Sequence, residues 1–327
     1  MQTVTLGGDI STTRLGFGTA GVLREPSKRR RLSILAAALD AGIRHFDTAP
    51  IYGFGEAERL LGEFLARRHE RVTIATKFGL TARAAATRLA PVQSVARAVL
   101  KAVPALRNIV RRGGNRFHEA PCFDAATAQA SLERSLAALR VERVDVLLLH
   151  ECTPAAVRDP ALLTWLQREV DRGLIGTFGT ATGFGHTLAM LASHSAYCRL
   201  VQFDSDALTQ NVLQLPRSLC AALITHSVLT HSRAAIVQAL RADAGLCARW
   251  QTALDANVAD TAVLSRLLLQ AAIDANPRGV VLVHSNSVQH IAANAAAAAG
   301  PGNPQQLALL VELLRARFNL PTVAVHA

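Results

Sequence analysis

Asp47, Tyr52, Lys77 and His150 are the residues of this chain whose types and spacing could carry proton transfer. A phenol is a poor acid near neutral pH, with an unperturbed pKa of about 10. A nearby ammonium stabilises the phenolate and lowers that value, a carboxylate holds the ammonium in place, and an imidazole can orient or polarise an oxygen above the phenol. Each type has an ordinary structural use when it stands alone. A His closing an apolar strand is commonly a hydrogen-bonded core residue, and an Asp before Thr is often a turn former. Together, at or just beyond successive strand ends, the four predict general acid catalysis.

Bringing four side chains so far apart in sequence around one oxygen needs a scaffold whose strand ends converge. Short apolar runs rich in β-branched residues lie at 14–18, 43–47, 72–77, 144–150, 174–180, 198–203, 221–226 and 279–284, with helical stretches between most of them. Eight such units predict an α/β fold with a parallel sheet covered by helices. Their number favours closure into a barrel, where every strand delivers its C-terminal end to one face. Helix boundaries are marked by Pro26-Ser27 and Ala41-Gly42, by Asp124 before Leu132, Leu136 and Leu139, and by Asp159-Pro160 with an end near Gly173. TVTLGGDI near the N-terminus predicts a small hairpin turning at Gly7-Gly8. A chain of 327 residues can bury a large core and is within the reach of one barrel domain, which is the expectation for 1–327.

FDTAPIYGFGEAERLLGEFL, TIATKFG and DVLLLHE resemble the signature segments of the aldo-keto reductases, and the likeness runs from LGFGTAGV near the start to HSNSVQHIAAN near the end. It is weakest between residues 81 and 121 and from about 203 to 260. The resemblance implies a (β/α)8 TIM barrel whose N-terminal hairpin closes the bottom. It also implies Asp47, Tyr52, Lys77 and His150 as a catalytic tetrad, and a nicotinamide cofactor, NADPH by family default with NADH as the alternative. The implied reaction interconverts an aldehyde, ketone or sugar carbonyl with an alcohol, Tyr52 serving as general acid and base. Gln202 falls at the family's nicotinamide-binding Gln, Thr182 in GTAT at the place of a usual Asn, and His226 where a stacking Tyr is common. Ser285, Asn286 and Ser287 match the phosphate-binding loop, Asn294 the adenine-contacting Asn, and His290 stands where relatives often place an Arg for the 2'-phosphate. Anions favour such a loop because the free N–H groups and dipole of a helix N-terminus point at them. Two other uses of the scaffold remain compatible with the sequence: a nicotinamide-binding regulatory subunit with little turnover, against which the complete tetrad argues, and lyase or isomerase chemistry.

Gly16, Gly18 and Gly21 in LGFGTAG have the G-x-G-x-x-G spacing of a Rossmann dinucleotide site. The context opposes that reading. Glu25-Pro26 intervenes before the helix, and Asp40, the acid at the right distance, ends that helix and not a strand.

The formal charge is +11, and residues 81–121 carry +7 of it, with eight Lys and Arg from Arg83 to Arg116 against Glu119. Aromatic residues able to stack on bases are nearly absent there, which disfavours a nucleic-acid partner and leaves a solvated basic loop or contact with an anionic ligand. No apolar stretch approaches the ~20 residues of a membrane span, and the N-terminus lacks a signal-peptide pattern, so the cytoplasm is expected. Cys122, Cys152, Cys198, Cys220 and Cys247 form no C-x-x-C pair and the histidines show no ligand spacing, so neither disulfide nor metal is expected. Substrate choice is expected to lie in the long loops of the C-terminal face, at 78–123, after Gln202 and at 226–260. Oligomeric state is not legible.

Overall fold

Strands buried on both faces read as nearly continuous apolar runs, and the runs predicted above form a closed parallel barrel. A computed structural model describes residues 1–80, 121–216, 218–230, 232–300 and 302–320. The basic stretch from Arg83 to Arg116 lies outside the described residues. In chain order the elements are β1 (Thr3–Thr5), β2 (Ser11–Thr13), β3 (Leu15–Gly18), α1 (Lys28–Asp40), β4 (His45–Asp47), α2 (Glu56–Leu65) and β5 (Thr73–Phe78). Then follow α3 (Ala125–Leu139), β6 (Val144–His150), α4 (Pro160–Asp171), β7 (Ile175–Ala181), α5 (Phe184–Ser193), β8 (Leu200–Asp204) and β9 (Ala222–His226). The chain continues through α6 (Ser232–Ala242), α7 (Ala244–Leu254), α8 (Thr261–Ala275), β10 (Val280–Val283), α9 (Val288–Ala299) and α10 (Pro304–Phe318).

The barrel runs β10-β3-β4-β5-β6-β7-β8-β9, and β9 pairs with β10 to close it. Alternation divides each strand between two cores. Phe46, Ile74, Leu147, Leu149, Phe178, Val201, Phe203 and Val281 face outward to the helices. Ala75, Val146, Leu148, Ala181, Leu200, Ile224, Val280 and Leu282 point inward. Burying each large apolar side chain contributes about 1.5–3 kcal/mol, so both layers resist any register slip. The hairpin β1–β2 turns through Gly7 and Gly8, both at positive φ (68° and 53°), and its Leu6 and Ile10 join the inward cluster as a floor.

Local chemistry starts the helices where the sequence places them. Ser27 accepts from the Arg30 amide, Asp124 from Thr127 at 2.6 Å, and Asp159, followed by Pro160 in the first turn, from Ala161 at 2.9 Å. The structure differs between residues 226 and 260, where a long loop was expected. There α6 and α7 form, α7 capped by Asp243 through the Leu246 amide at 2.8 Å. Ile236, Leu240, Leu246, Trp250 and Leu254 recur at helical spacing and pack with α8 and α10 into a separate core.

Two of the three glycines of the Rossmann-like spacing, Gly16 and Gly21, have packing roles. Gly16 and Gly18 lie in β3, where a Cβ on Gly16 would stand 2.5 Å from Leu282 and 2.8 Å from the His45 ring. A Cβ on Gly21 would overlap the His284 ring.

Candidate active site

Asp47 closes β4 in register with Gly18 on one side and Ala75 on the other, which aims its carboxylate into the barrel mouth. Lys77, near the end of β5, lies on the next strand and its ammonium donates to Asp47 Oδ1 at 2.7 Å, to Oδ2 at 2.8 Å and to the Thr48 carbonyl at 2.9 Å. Both side chains are shut away from water, Lys77 1% and Asp47 3% exposed. Tyr52 sits in the tight turn between β4 and α2, where Gly53, Phe54 and Gly55 all have positive φ and swing the chain back over the mouth. Its ring centroid is 5.2 Å from Lys77 Nζ and 5.9 Å from the His150 ring, which stands edge-on at 88°. The four side chains thus come together as expected.

Burial pushes the Tyr52 phenol above its ordinary value, and Lys77, by charge and hydrogen bonding, is the strongest force in the other direction. The pull expected of Lys77 is therefore present, but burial exceeds it. Burial acts to lower Lys77 as well, and the Asp47 carboxylate and the Tyr52 hydroxyl outweigh it, holding the ammonium above its usual range. His150 is lowered to about 3 by burial, with Lys77 and His226 adding to the effect. Its imidazole is neutral at physiological pH and offers one donor and one acceptor.

Beside this group, Gln202 points inward from β8, 4% exposed, and its Oε1 has no hydrogen-bond partner. An orphaned buried acceptor calls for a donor, and a carboxamide N–H supplies one, so the residues present fit a nicotinamide. Thr182, directly after β7, is buried at 2% exposure. Its hydroxyl donates to the Cys152 carbonyl at 3.2 Å, so the one proton it has is engaged and it offers only lone pairs toward the mouth. His226 closes β9 opposite Asp204, with Nδ1 2.9 Å from Ser227 Oγ. It lies within charge range of Asp47 and Lys77, and burial lowers its pKa.

The expected anion loop lies where β10 meets β3. Ser285 Oγ accepts from the Ser287 amide at 3.1 Å, Asn286 donates to the Gly21 carbonyl at 3.3 Å, and Ser287 caps α9 through the His290 amide. The His290 side chain is exposed and Asn294 is half-buried on the next turn of α9. Sequence reasoning passed over Thr48, Asp204 and His284. His284 has Nδ1 3.0 Å from the Gly18 carbonyl, tying the loop to β3. Asp204 receives the Phe184 amide at 3.1 Å at the start of α5. Their position at the ends of the sixth and eighth barrel strands was the available signal. Among the described residues no cluster of His, Cys, Asp or Glu could hold a metal ion, and no helix is long and apolar enough to cross a membrane.

Solved structures share the architecture. Glycerol dehydrogenase from Gluconobacter oxydans superposes with a TM-score of 0.68 at 16% identity, covering 99% of this chain and 98% of that one. A holo aldo-keto reductase from Bacillus halodurans gives 0.67 at 17% identity, covering 96% of each. Pyridoxal 4-dehydrogenase from Microbacterium luteolum is 32% identical over 148 residues, 43% of this chain and 40% of that enzyme. D-threo-aldose 1-dehydrogenase from a Pseudomonas species is 31% identical over 152 residues, 43% of this chain and 41% of that enzyme. The chain thus spans about two fifths of the length of these curated relatives. The sequence profile of the Aldo/keto reductase family matches residues 14–204, which include all four tetrad positions and Gln202. That match takes in more than half of the chain, and with the closed eight-stranded barrel beneath it the protein belongs to the aldo/keto reductase family.

Proposed function

We propose that the chain is a nicotinamide-dependent oxidoreductase that interconverts a small carbonyl compound, an aldehyde, ketone or sugar, with its alcohol, acting as one barrel unit over residues 1–327. NADPH is the proposed cofactor, with NADH the alternative because His290 replaces the usual cation for the 2'-phosphate. Relatives named for pyridoxal and for an aldose support the substrate class. The observation that carries the reading is the buried Lys77–Asp47 pair, bonded twice, beneath a phenol that faces a neutral imidazole.

The cofactor, when bound, supplies hydride to the carbonyl carbon. Tyr52 gives its proton to the carbonyl oxygen, and in the other direction the phenolate takes it back from the alcohol. Lys77 stabilises that phenolate, because an ammonium near the ring opposes the effect of burial on the phenol. Asp47 and the Thr48 carbonyl fix Lys77 in place. His150, kept neutral, orients the substrate oxygen by a hydrogen bond. Gln202 Oε1 accepts from the carboxamide, and Ser285, Asn286 and Ser287 with the start of α9 receive the phosphates. The cytoplasm is the proposed location, with no nucleic-acid or membrane partner.

Tyr52→Phe tests the assignment. Its affinity for NADPH, followed by fluorescence titration, is expected to stay within about twofold of wild type, while turnover on an aldehyde, ketone and sugar panel falls by about 10²-fold or more. Wild-type rates in that variant would sink the mechanism.

A further inference from the structure

Among the described residues, every connection between consecutive strands of the barrel contains an α-helix except one. Between β8 and β9 the chain forms a single 3-10 turn (Asn211–Gln214), so the outer flank of β9 lacks the helix that covers the other strands. Leu223 points outward on that flank, because Ile224 beside it belongs to the inward cluster. With no helix over it Leu223 is only half-buried, as are Val212 and Leu219 of the connection that takes the helix's place. These side chains and Leu215 line a cavity of about 530 Å³, whose remaining wall is the end of α8, the turn after it and Arg315 of α10.

Size decides what can enter. An α-helix about 10 Å across takes up about 420 Å³ per turn, so the space holds little more than one turn and excludes a helix docked from a partner. It lies within the roughly 300–1,000 Å³ of small-molecule sites, which are mostly apolar with a few placed polar groups. Arg315 is such a group. Its Nε and Nη2 donate to Gln210 Oε1 at 3.1 and 3.0 Å, which fixes the half-buried guanidinium, and among the described residues it has no ion pair. Two of its five N–H donors are used, and the bonded partner is neutral, so both charge and donors remain for a ligand. The other charged residues of the lining, Asp274 and Arg278, are exposed to water and opposite in sign, and Asp274 also lies within charge range of Arg14. We propose that this cavity binds a small amphiphilic carboxylate, its aliphatic body against Leu215, Leu219 and Leu223 and its carboxylate on Arg315. One guanidinium suits a single negative charge; the dianion of a phosphate would meet stronger repulsion from Asp274. Leu223 faces away from the barrel interior, so the wall of the barrel separates this site from the tetrad, and the inference stands independently of the nicotinamide reading.

Calorimetric titration of the purified protein with octanoate tests this, with 1-octanol as the control for the apolar body and octylammonium for the sign of the charge. Octanoate is expected to bind about tenfold or more tightly than octanol, because a hydrogen bond to a charged group is among the strong ones, and octylammonium more weakly than octanol. Arg315→Gln is expected to bring octanoate down to the level of octanol. Leu219→Trp, which fills the cavity from its half-buried wall, is expected to abolish binding of octanoate and octanol alike. Thermal midpoints without ligand report that both variants are folded, and octanoate is expected to raise the midpoint of wild type alone. Octanoate that binds no more tightly than octylammonium, or that keeps its wild-type affinity in either folded variant, overturns the inference.

Discussion

Lys77 and Asp47 are stable as a pair and unfavourable apart. Their heavy atoms meet at 2.7 and 2.8 Å in a site that admits almost no water, so removing one partner leaves the other charge buried without compensation. Lys77→Met is expected to lower stability by about 3–5 kcal/mol in urea unfolding, because the loss of the partner outweighs the gain of an apolar side chain. The double variant Lys77→Met with Asp47→Asn is expected to recover most of that stability and none of the turnover. A single variant as stable as wild type would show that Asp47 is already neutral or solvated. The tetrad was legible in the sequence because it needs only residue types at strand ends. The net rise of the Tyr52 pKa was not legible, since it depends on how far the surrounding turn excludes water. Nor was the use of the Thr182 hydroxyl, which is decided by a carbonyl thirty residues earlier, that of Cys152.

The way elements meet fixes where these residues stand. α2 carries Gly62 against the end of α3, and a Cβ there would lie 2.5 Å from both the Ala138 and Leu139 carbonyl oxygens. Backbone oxygens that close a helix have little room to move. Gly→Ala ordinarily gains up to about 1 kcal/mol of helix propensity, but overpacking typically costs about 1–3 kcal/mol, so the clash wins. Gly62→Ala is expected to lower the thermal midpoint of unfolding by several degrees, and a rise would contradict the close approach of α2 and α3. The barrel strands were readable because burial on both faces gives β-branched apolar runs, and α1, α3 and α4 because Ser27, Asp124 and Asp159 announce them. α6 and α7 were missed although Asp243, Leu246, Trp250 and Leu254 carry a cap and a helical stripe. Resemblance to known motifs fades there, and their core is formed with the neighbouring α8 and with α10, some fifty residues further along the chain.

At the scale of the whole molecule, the barrel interior sets a pH limit on stability. His45 lies wholly buried on the inward face of β4, and neither ring nitrogen has a partner. Burial lowers its pKa to about 4, and His150 is lowered to about 3. The unfolded chain takes up protons on both residues as the pH falls through about 6.5, while the folded chain does not. Stability therefore falls with pH below that point, each histidine contributing up to about 1.4 kcal/mol per unit until its folded pKa is reached. Thermal midpoints of wild type and His45→Leu, compared from about pH 7 to 4, are expected to diverge, with the shallower slope in the variant. Identical slopes would mean that His45 binds its proton in the folded state.

Leu6 and Ile10 floor the barrel among the described residues, at the end opposite the mouth. Beneath the Lys77–Asp47 pair the inward layer is largely apolar, and the imidazole set within it, that of His45, has no hydrogen-bonded neighbour to relay a proton downward. Whatever covers the mouth also seals the proton supply. In the proposed reaction the phenol then behaves as a vessel filled once per visit: Tyr52 arrives loaded, gives up its proton under cover, and is recharged from bulk water only when the mouth clears. In that reaction product departure and proton uptake are coupled at the mouth.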